Sequence, residues 1–116
     1  MLTILRQDDS IIAQISGDLD HHNAIEIRSK IDDLLIKYPN CDLILNLSGL
    51  NFMDSSGIGV IIGRYRNQQQ RGKKTYICGV NSKISKLIEL SGIKKIVPII
   101  DNPSAISTLN KGGEAV

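Results

Sequence analysis

The chain has 116 residues, 41% of them hydrophobic and 22% charged, with a formal net charge of +2. That length holds one hydrophobic core and not two, and the composition is that of a globular domain rather than a disordered chain. No apolar run approaches the ~18 residues that span a bilayer and the first residues lack a secretory-signal layout, so a cytoplasmic protein without membrane contact is expected. Thr3 to Gln7 and Ser10 to Ser16 read as two strands joined by a tight Asp8-Asp9 turn, hence a hairpin. From Asn23 to Tyr38 the apolar positions Ala24, Ile27, Ile31, Leu34, Leu35 and Tyr38 share one helical face, and Pro39-Asn40 stops that helix. Leu43 to Leu47 is nearly unbroken in apolar character, as in a strand buried on both faces.

A second helix is expected from Ser55 to Gln70, ending at Gly72, with Ile58, Ile61, Ile62 and Tyr65 as its core stripe. Thr75 to Val80 reads as a strand, and Ser82 to Leu90 as a short helix with Ser82 as N-cap and Ile84, Leu87 and Ile88 inward. Ile96 to Ile100 reads as a last strand, placed at a sheet edge by Pro98. Asn102 to Asn110 reads as a terminal helix, and Gly112 to Val116 as a flexible tail beyond a single domain of residues 1–111. The order ββαβαβαβα is α/β, with a mixed, mostly parallel sheet, an N-terminal hairpin and about four helices. In such sheets sites form where strands end and helices begin. Two loops qualify, Gly17 to His22 and Gly49 to Ser55, and parallel strands open both on the same sheet edge.

Several functional classes are excluded early. The basic residues are dispersed and only four aromatics exist, so direct nucleic-acid binding is not expected. Cys41 and Cys78 form no CxxC and read as buried free thiols; adjacent Asp20, His21 and His22 would diverge around a metal, so neither metal nor cofactor is expected. No G-x-S-x-G elbow surrounds Ser55 or Ser56, and no G-x-x-x-x-G-K-[ST] phosphate loop is present. A Ser55–His–Asp20 triad would orient its histidine from the adjacent residue, a poor geometry. The chain reads as noncatalytic.

The informative stretch is Asn51-Phe52-Met53-Asp54-Ser55-Ser56-Gly57-Ile58-Gly59. Asp54 is a good N-cap, which is the simplest account of it. Capping does not explain Gly57, Gly59 and Gly63, each of which costs a helix about 1 kcal/mol relative to alanine. Ser56, Gly59, Gly63 and Asn67 share one face almost without side chains, suited either to close packing within the domain or to a partner. Ser55 sits at the margin of that face, its hydroxyl accessible. A phosphate there would add about −1.5 to −2 charge that the helix N-terminus tolerates, while a partner would meet bulk and repulsion beside Asp54 and Asp20.

Asp54-Ser55-Ser56-Gly57, with Asn46-Leu47 before it, Gly59 and Gly63-Arg64-Tyr65 after it, and the loop Gly17-Asp18-Leu19-Asp20-His21-His22, resembles the anti-sigma-factor antagonist family of STAS domains. The Leu-Asp-His-His loop together with Phe-Met-Asp-Ser-Ser-Gly is most similar to its sporulation branch. The resemblance implies a regulator whose unphosphorylated form binds an anti-sigma factor with ATP-dependent serine kinase activity and so releases a sigma factor. It implies phosphorylation at Ser55, and reversal by a metal-dependent serine phosphatase. It places Asp20, with His21 and His22 on its loop, against the partner, together with Asp54, Ser56, Gly57, Ile58, Gly59 and Gly63. Asp18 and Ile58 depart from the glutamate and leucine common in the family, which touches partner specificity only. A stress-response antagonist or a STAS protein of lipid transport would share the fold; the Asp-His-His loop favours the sporulation branch.

Overall fold

A computed structural model describes residues 1–103. Within it the alternating periods become β1 (Leu2–Gln7), β2 (Ser10–Leu19), α1 (Ala24–Lys37), β3 (Asp42–Met53), α2 (Ser55–Gln70), β4 (Thr75–Cys78) and α3 (Ser85–Ser91), followed by a 3-10 turn at Ile93–Lys95. The sheet order is β1-β2-β3-β4, antiparallel between β1 and β2 and parallel thereafter. The hairpin turns at Asp8-Asp9, with Asp8 at φ 54, a conformation that aspartate tolerates better than most residues.

The strand order advances in one direction, so successive crossovers place their helices on one face. Ile27, Ile31 and Leu35 of α1, Val60 and Ile61 of α2, and Ile84 and Ile88 of α3 all join one buried cluster with the alternate strand residues Ile11, Ala13, Leu43, Leu45 and Ile77. The intervening residues Ile12, Ile44, Tyr76 and Cys78 form a smaller cluster on the opposite face. Both-face burial of Leu43 to Leu45 follows, as their apolar run implies. Cys41 and Cys78 are buried free thiols, and burial pushes the Cys78 thiol up from its ordinary pKa.

Four expectations are corrected. The strand read as Leu43 to Leu47 continues to Met53, and β2 continues to Leu19, so Gly17–Leu19 and Gly49–Met53 are ladder and not loop. Register shifts after Gln14 and after Gly17 each let β3 absorb an extra residue, so that Ser16 pairs with Gly49 and Asp18 with Phe52 before the ladder ends at Leu19 with Met53. The strand expected over Ile96 to Ile100 is reduced to one parallel bridge: the Ile77 amide donates to the Pro98 carbonyl (2.9 Å) and the Ile100 amide to the Ile77 carbonyl (2.8 Å). Pro98 is therefore at the edge of the sheet, where its missing N–H costs nothing.

Ser82 does not cap α3, which begins at Ser85 after a turn. The Asn81 side chain organises that turn instead, accepting from the Lys83 amide (2.8 Å) while donating to the carbonyls of Ser48 (3.2 Å) and Leu50 (2.8 Å). The fourth correction concerns α2, whose bounds are as expected but whose buried face is centred on Gly57, Val60, Ile61, Arg64 and Gln68. Arg64 is buried because its Nε lies 2.8 Å from Asp32 Oδ1 of α1, and Gln68 because its amide donates to the Cys41 carbonyl (3.0 Å). Burial lowers the Arg64 pKa and the Asp32 charge opposes that shift. Ile58, Ile62 and Tyr65 pack against the core while partly exposed. Nearly all of the helix expected from Asn102 to Asn110, and the tail Gly112 to Val116, lie outside the described residues.

Gly79 connects β4 to the turn that holds the end of β3. Its φ is +71, and a Cβ there would meet Asn46 Oδ1 at 2.6 Å and the Ser48 backbone nitrogen at 2.8 Å. Gly72, just past α2, has a similar φ of +73 but open space around it. Gly72→Ala is therefore expected to cost about 1 kcal/mol from backbone strain alone. Gly79→Ala should cost about 3 kcal/mol, because the backbone must also move. Urea denaturation of the two variants measures the difference, and equal losses would mean that the Asn46–Ser48 contact carries no strain.

Candidate functional site

The site is built at the sheet edge where β2 and β3 end. Asp54 follows β3 directly, in extended conformation (φ −114, ψ −169), and is the N-cap of α2. Its Oδ1 accepts from the Ser56 amide at 2.8 Å. Its Oδ2 accepts from the His21 amide at 3.3 Å and lies 3.6 Å from His21 Nδ1. The Asp54 amide in turn donates to the Leu19 carbonyl at 3.3 Å. One residue thus caps a helix and fastens the β2–α1 loop to it.

That loop has its own internal frame. The Asp20 carbonyl accepts from the amides of Asn23 (3.2 Å) and Ala24 (2.9 Å), starting α1, and Asp20 Oδ1 accepts from the His22 amide (2.9 Å). Asn23 is the N-cap by position, but its side chain turns back, accepting from the Asp20 amide (3.0 Å) and donating to the Asp18 carbonyl (2.7 Å). The His21 and His22 rings lie 4.0 Å apart, tilted, and both residues are exposed. No hydrogen bond among the described residues joins Ser55 to either imidazole, and no group of three or more His, Cys, Asp or Glu is placed to hold a metal.

Burial raises the Asp54 pKa, but the amides of Ser56 and His21, the His21 side chain and the Gly57 amide together outweigh it, leaving the carboxyl below its ordinary value. An ionised Asp54 is what the fold selects. Ser55, the first residue of α2, is exposed beside it, and Ser56 and Asp20 are half-buried. The two expected loops meet, bringing together Asp20, His21, His22, Asp54, Ser55 and Ser56.

The glycines separate into two kinds. Gly57 is buried, and a Cβ there would overlap Met53 Cγ and meet Leu19 Cγ at 3.0 Å. Its expected place on a docking surface is corrected: it faces the interior, where the absent side chain lets α2 settle on the ends of β2 and β3. Ile58 turns partly into the core as well. Gly59 and Gly63 are the opposite case, since a Cβ at either would have nothing within 4 Å. Packing among the described residues does not account for them. Sequence reasoning missed Ile25 and Arg28 of α1, which with Ala24, Ser56, Gly59 and Val60 line a shallow groove of about 240 Å³. The signal was there: Ile25 lies off the face of Ile27 and Ile31 and is 68% exposed.

The model of the STAS domain family matches residues 2–106. The chain belongs to the STAS domain family. A protein of Paenibacillus polymyxa named anti-sigma F factor antagonist is 41% identical over 92 residues, 79% of each chain. Among solved structures, the anti-sigma factor antagonist SpoIIAA in its unphosphorylated form superposes with a TM-score of 0.73 at 23% identity, covering 98% of this chain and all of that one. The Bacillus cell fate determinant SpoIIAA in the phosphorylated form gives a TM-score of 0.72 at 25% identity, covering 94% and 99%. No helix of this STAS domain is long and apolar enough, among the described residues, to cross a membrane.

The two kinds of glycine respond oppositely to alanine. Gly59→Ala is expected to stabilise the domain by about 1 kcal/mol through helix propensity, raising Tm by about 4 °C. Gly57→Ala is expected to destabilise it, because overpacking of about 1–3 kcal/mol against Met53 and Leu19 exceeds that gain. Calorimetry of both variants checks the pair. Asp54 yields a pH prediction. Its folded pKa is depressed, so its charge stabilises the fold above the unfolded value near 4 and loses that contribution as pH falls through the folded value. The stability gap between the unaltered domain and Asp54→Asn, which still caps, should be full at pH 6 and close below about pH 4. A gap independent of pH would assign Asp54 a purely geometric role.

Proposed function

We propose that this STAS domain is an anti-sigma factor antagonist of the sporulation branch, switched by phosphorylation of Ser55; its 41% identical relative is named anti-sigma F factor antagonist. The observation that carries the reading is the exposed Ser55 hydroxyl at the first position of α2, flanked by an ionised carboxylate and a helix face without side chains. In the unphosphorylated state the partner, an anti-sigma factor with serine kinase activity, docks on this edge, with a basic group toward Asp20 and Asp54, and releases its sigma factor. The kinase then transfers the γ-phosphoryl group of ATP to Ser55 Oγ; the hydroxyl proton leaves and ADP remains. The new dianion lands beside Asp54, where a partner shaped for a neutral hydroxyl meets both bulk and like charge. A metal-dependent serine phosphatase restores the hydroxyl. The role is regulatory and not catalytic, and its setting is the cytoplasm, where anti-sigma factors meet RNA polymerase.

Similarity to SpoIIAA in both phosphorylation states supports a switch that leaves the fold in place. The test combines the purified chain with its anti-sigma factor and ATP, and maps the phosphate by mass spectrometry. Phosphate on Ser55 alone is expected. Ser55→Glu should weaken binding by about 100-fold or more, and Ser55→Ala should bind yet resist release by ATP. Phosphorylation elsewhere, or full affinity in Ser55→Glu, would remove Ser55 from the switch.

A further inference from the structure

The two crossover helices α1 and α2 run parallel, because each links parallel strands. On α1, Ile25, Arg28, Asp32 and Ile36 recur at i, i+3, i+7 and i+11, one face over three turns. On α2, Ser56, Gly59, Gly63 and Asn67 recur at the same intervals. The rows border one seam. Ile25 and Arg28 share its upper groove with Ser56 and Gly59, while Asp32 and Ile36 share a lower groove of about 340 Å³ with Asn67. The Asp32–Arg64 ion pair bridges the helices between them. Three turns of helix make the seam about 16 Å long.

We propose that this whole seam receives an α-helix of the anti-sigma factor, so that docking extends three turns beyond Ser55. The proposal rests on the reading of the chain as an anti-sigma factor antagonist. Ile25 and Ile36 are 68% and 73% exposed at the two ends of the seam. A single exposed isoleucine needs no explanation, but two on one helix face, opposite glycines whose Cβ positions are empty, form walls and floor for a helix-sized body. The charges set its chemistry. Asp20 and Asp54 make the upper mouth acidic, while Arg28, exposed and without a salt bridge among the described residues, stands inside the seam. The fitting helix is amphipathic: a basic residue at the end near Asp54, an acidic residue opposite Arg28, and apolar residues against Ile25 and Ile36. This arrangement gives Gly59 and Gly63 a common reason, since a side chain at either would lift the partner helix off the floor.

The test measures affinity of the purified anti-sigma factor for Ile36→Glu, Arg28→Glu and Gly63→Leu, with Ser55→Glu alongside and Tm recorded for each. Ile36→Glu and Gly63→Leu should weaken binding by about 10-fold or more with no fall in Tm, since both positions face open space. Arg28→Glu should weaken it similarly, with the deficit shrinking as salt is raised. Wild-type affinity in Ile36→Glu and Gly63→Leu, with Ser55→Glu still impaired, would overturn the seam and leave the Ser55 switch standing. Absence of binding by the unaltered chain would overturn both.

Discussion

The site depends on one carboxylate. Asp54 stands at the only point where β3 hands over to α2, and its two oxygens serve different elements: Oδ1 takes the Ser56 amide of its own helix, and Oδ2 takes the His21 amide of the loop after β2. The α2 cap and the loop that carries Asp20 are thereby fixed in one frame, with the Asp54 amide to Leu19 carbonyl bond closing it from the other side. A helix N-terminus offers more amides than it has internal acceptors, so an anion there is stabilised wherever it comes from. Here the protein fills the innermost position with its own carboxylate and leaves the Ser55 hydroxyl outside it. A second negative charge on Ser55 would thus find a helix end already capped, and its effect would fall on whatever approaches from solvent.

The glycines of α2 show how one residue type serves two opposite constraints on the same helix. Gly57 is demanded from within: Met53 and Leu19, the last ladder residues of β3 and β2, occupy the space a Cβ would need. Because Asp54 and Ser55 lie immediately upstream, this contact sets how closely the N-terminus of α2 approaches the sheet edge. Gly59 and Gly63 are demanded by nothing inside the described residues, and each lowers helix stability by about 1 kcal/mol. Domains are stable by only ~5–15 kcal/mol, so two such losses without an internal return point to selection on the surface they expose.

Most of the architecture was legible from periodicity, and the failures have specific causes. The bounds of α2 were legible because Asp54 and Gly72 are strong punctuation. The extension of β3 to Met53 was not, because Ser48, Gly49 and Asn51 look like a turn; only the two register shifts against β2 show that they are absorbed as ladder. Binary patterning also left Arg64 and Gln68 out of the core stripe of α2. Their burial depends on partners remote in sequence, Asp32 and the Cys41 carbonyl, and no local pattern carries that information. Ser82 has the residue type of a cap, whereas Asn81 reaches two carbonyls of β3 as well as the Lys83 amide, which a serine is too short to do. At the site, spacing revealed that the two loops share an edge, but not that Asp54 joins them, nor that α1 supplies a wall.

A small domain constrains how such a switch works. Within the described residues the core beneath the site is closed by Leu19, Leu50 and Met53, all nearly fully buried, so it offers no loose packing for a surface charge to rearrange. Control must act where a partner touches. One phosphate would bring the net charge of +2 to about zero, a minor change over the whole surface. On Ser55 the same charge would land next to Asp54, the adjacent residue, well inside a Debye length of ~8 Å, so salt would not screen it away. On the proposed seam that charge would sit at one end of a long contact surface. That geometry permits apolar contacts along the seam to supply affinity while a single group at its mouth decides whether the affinity is used.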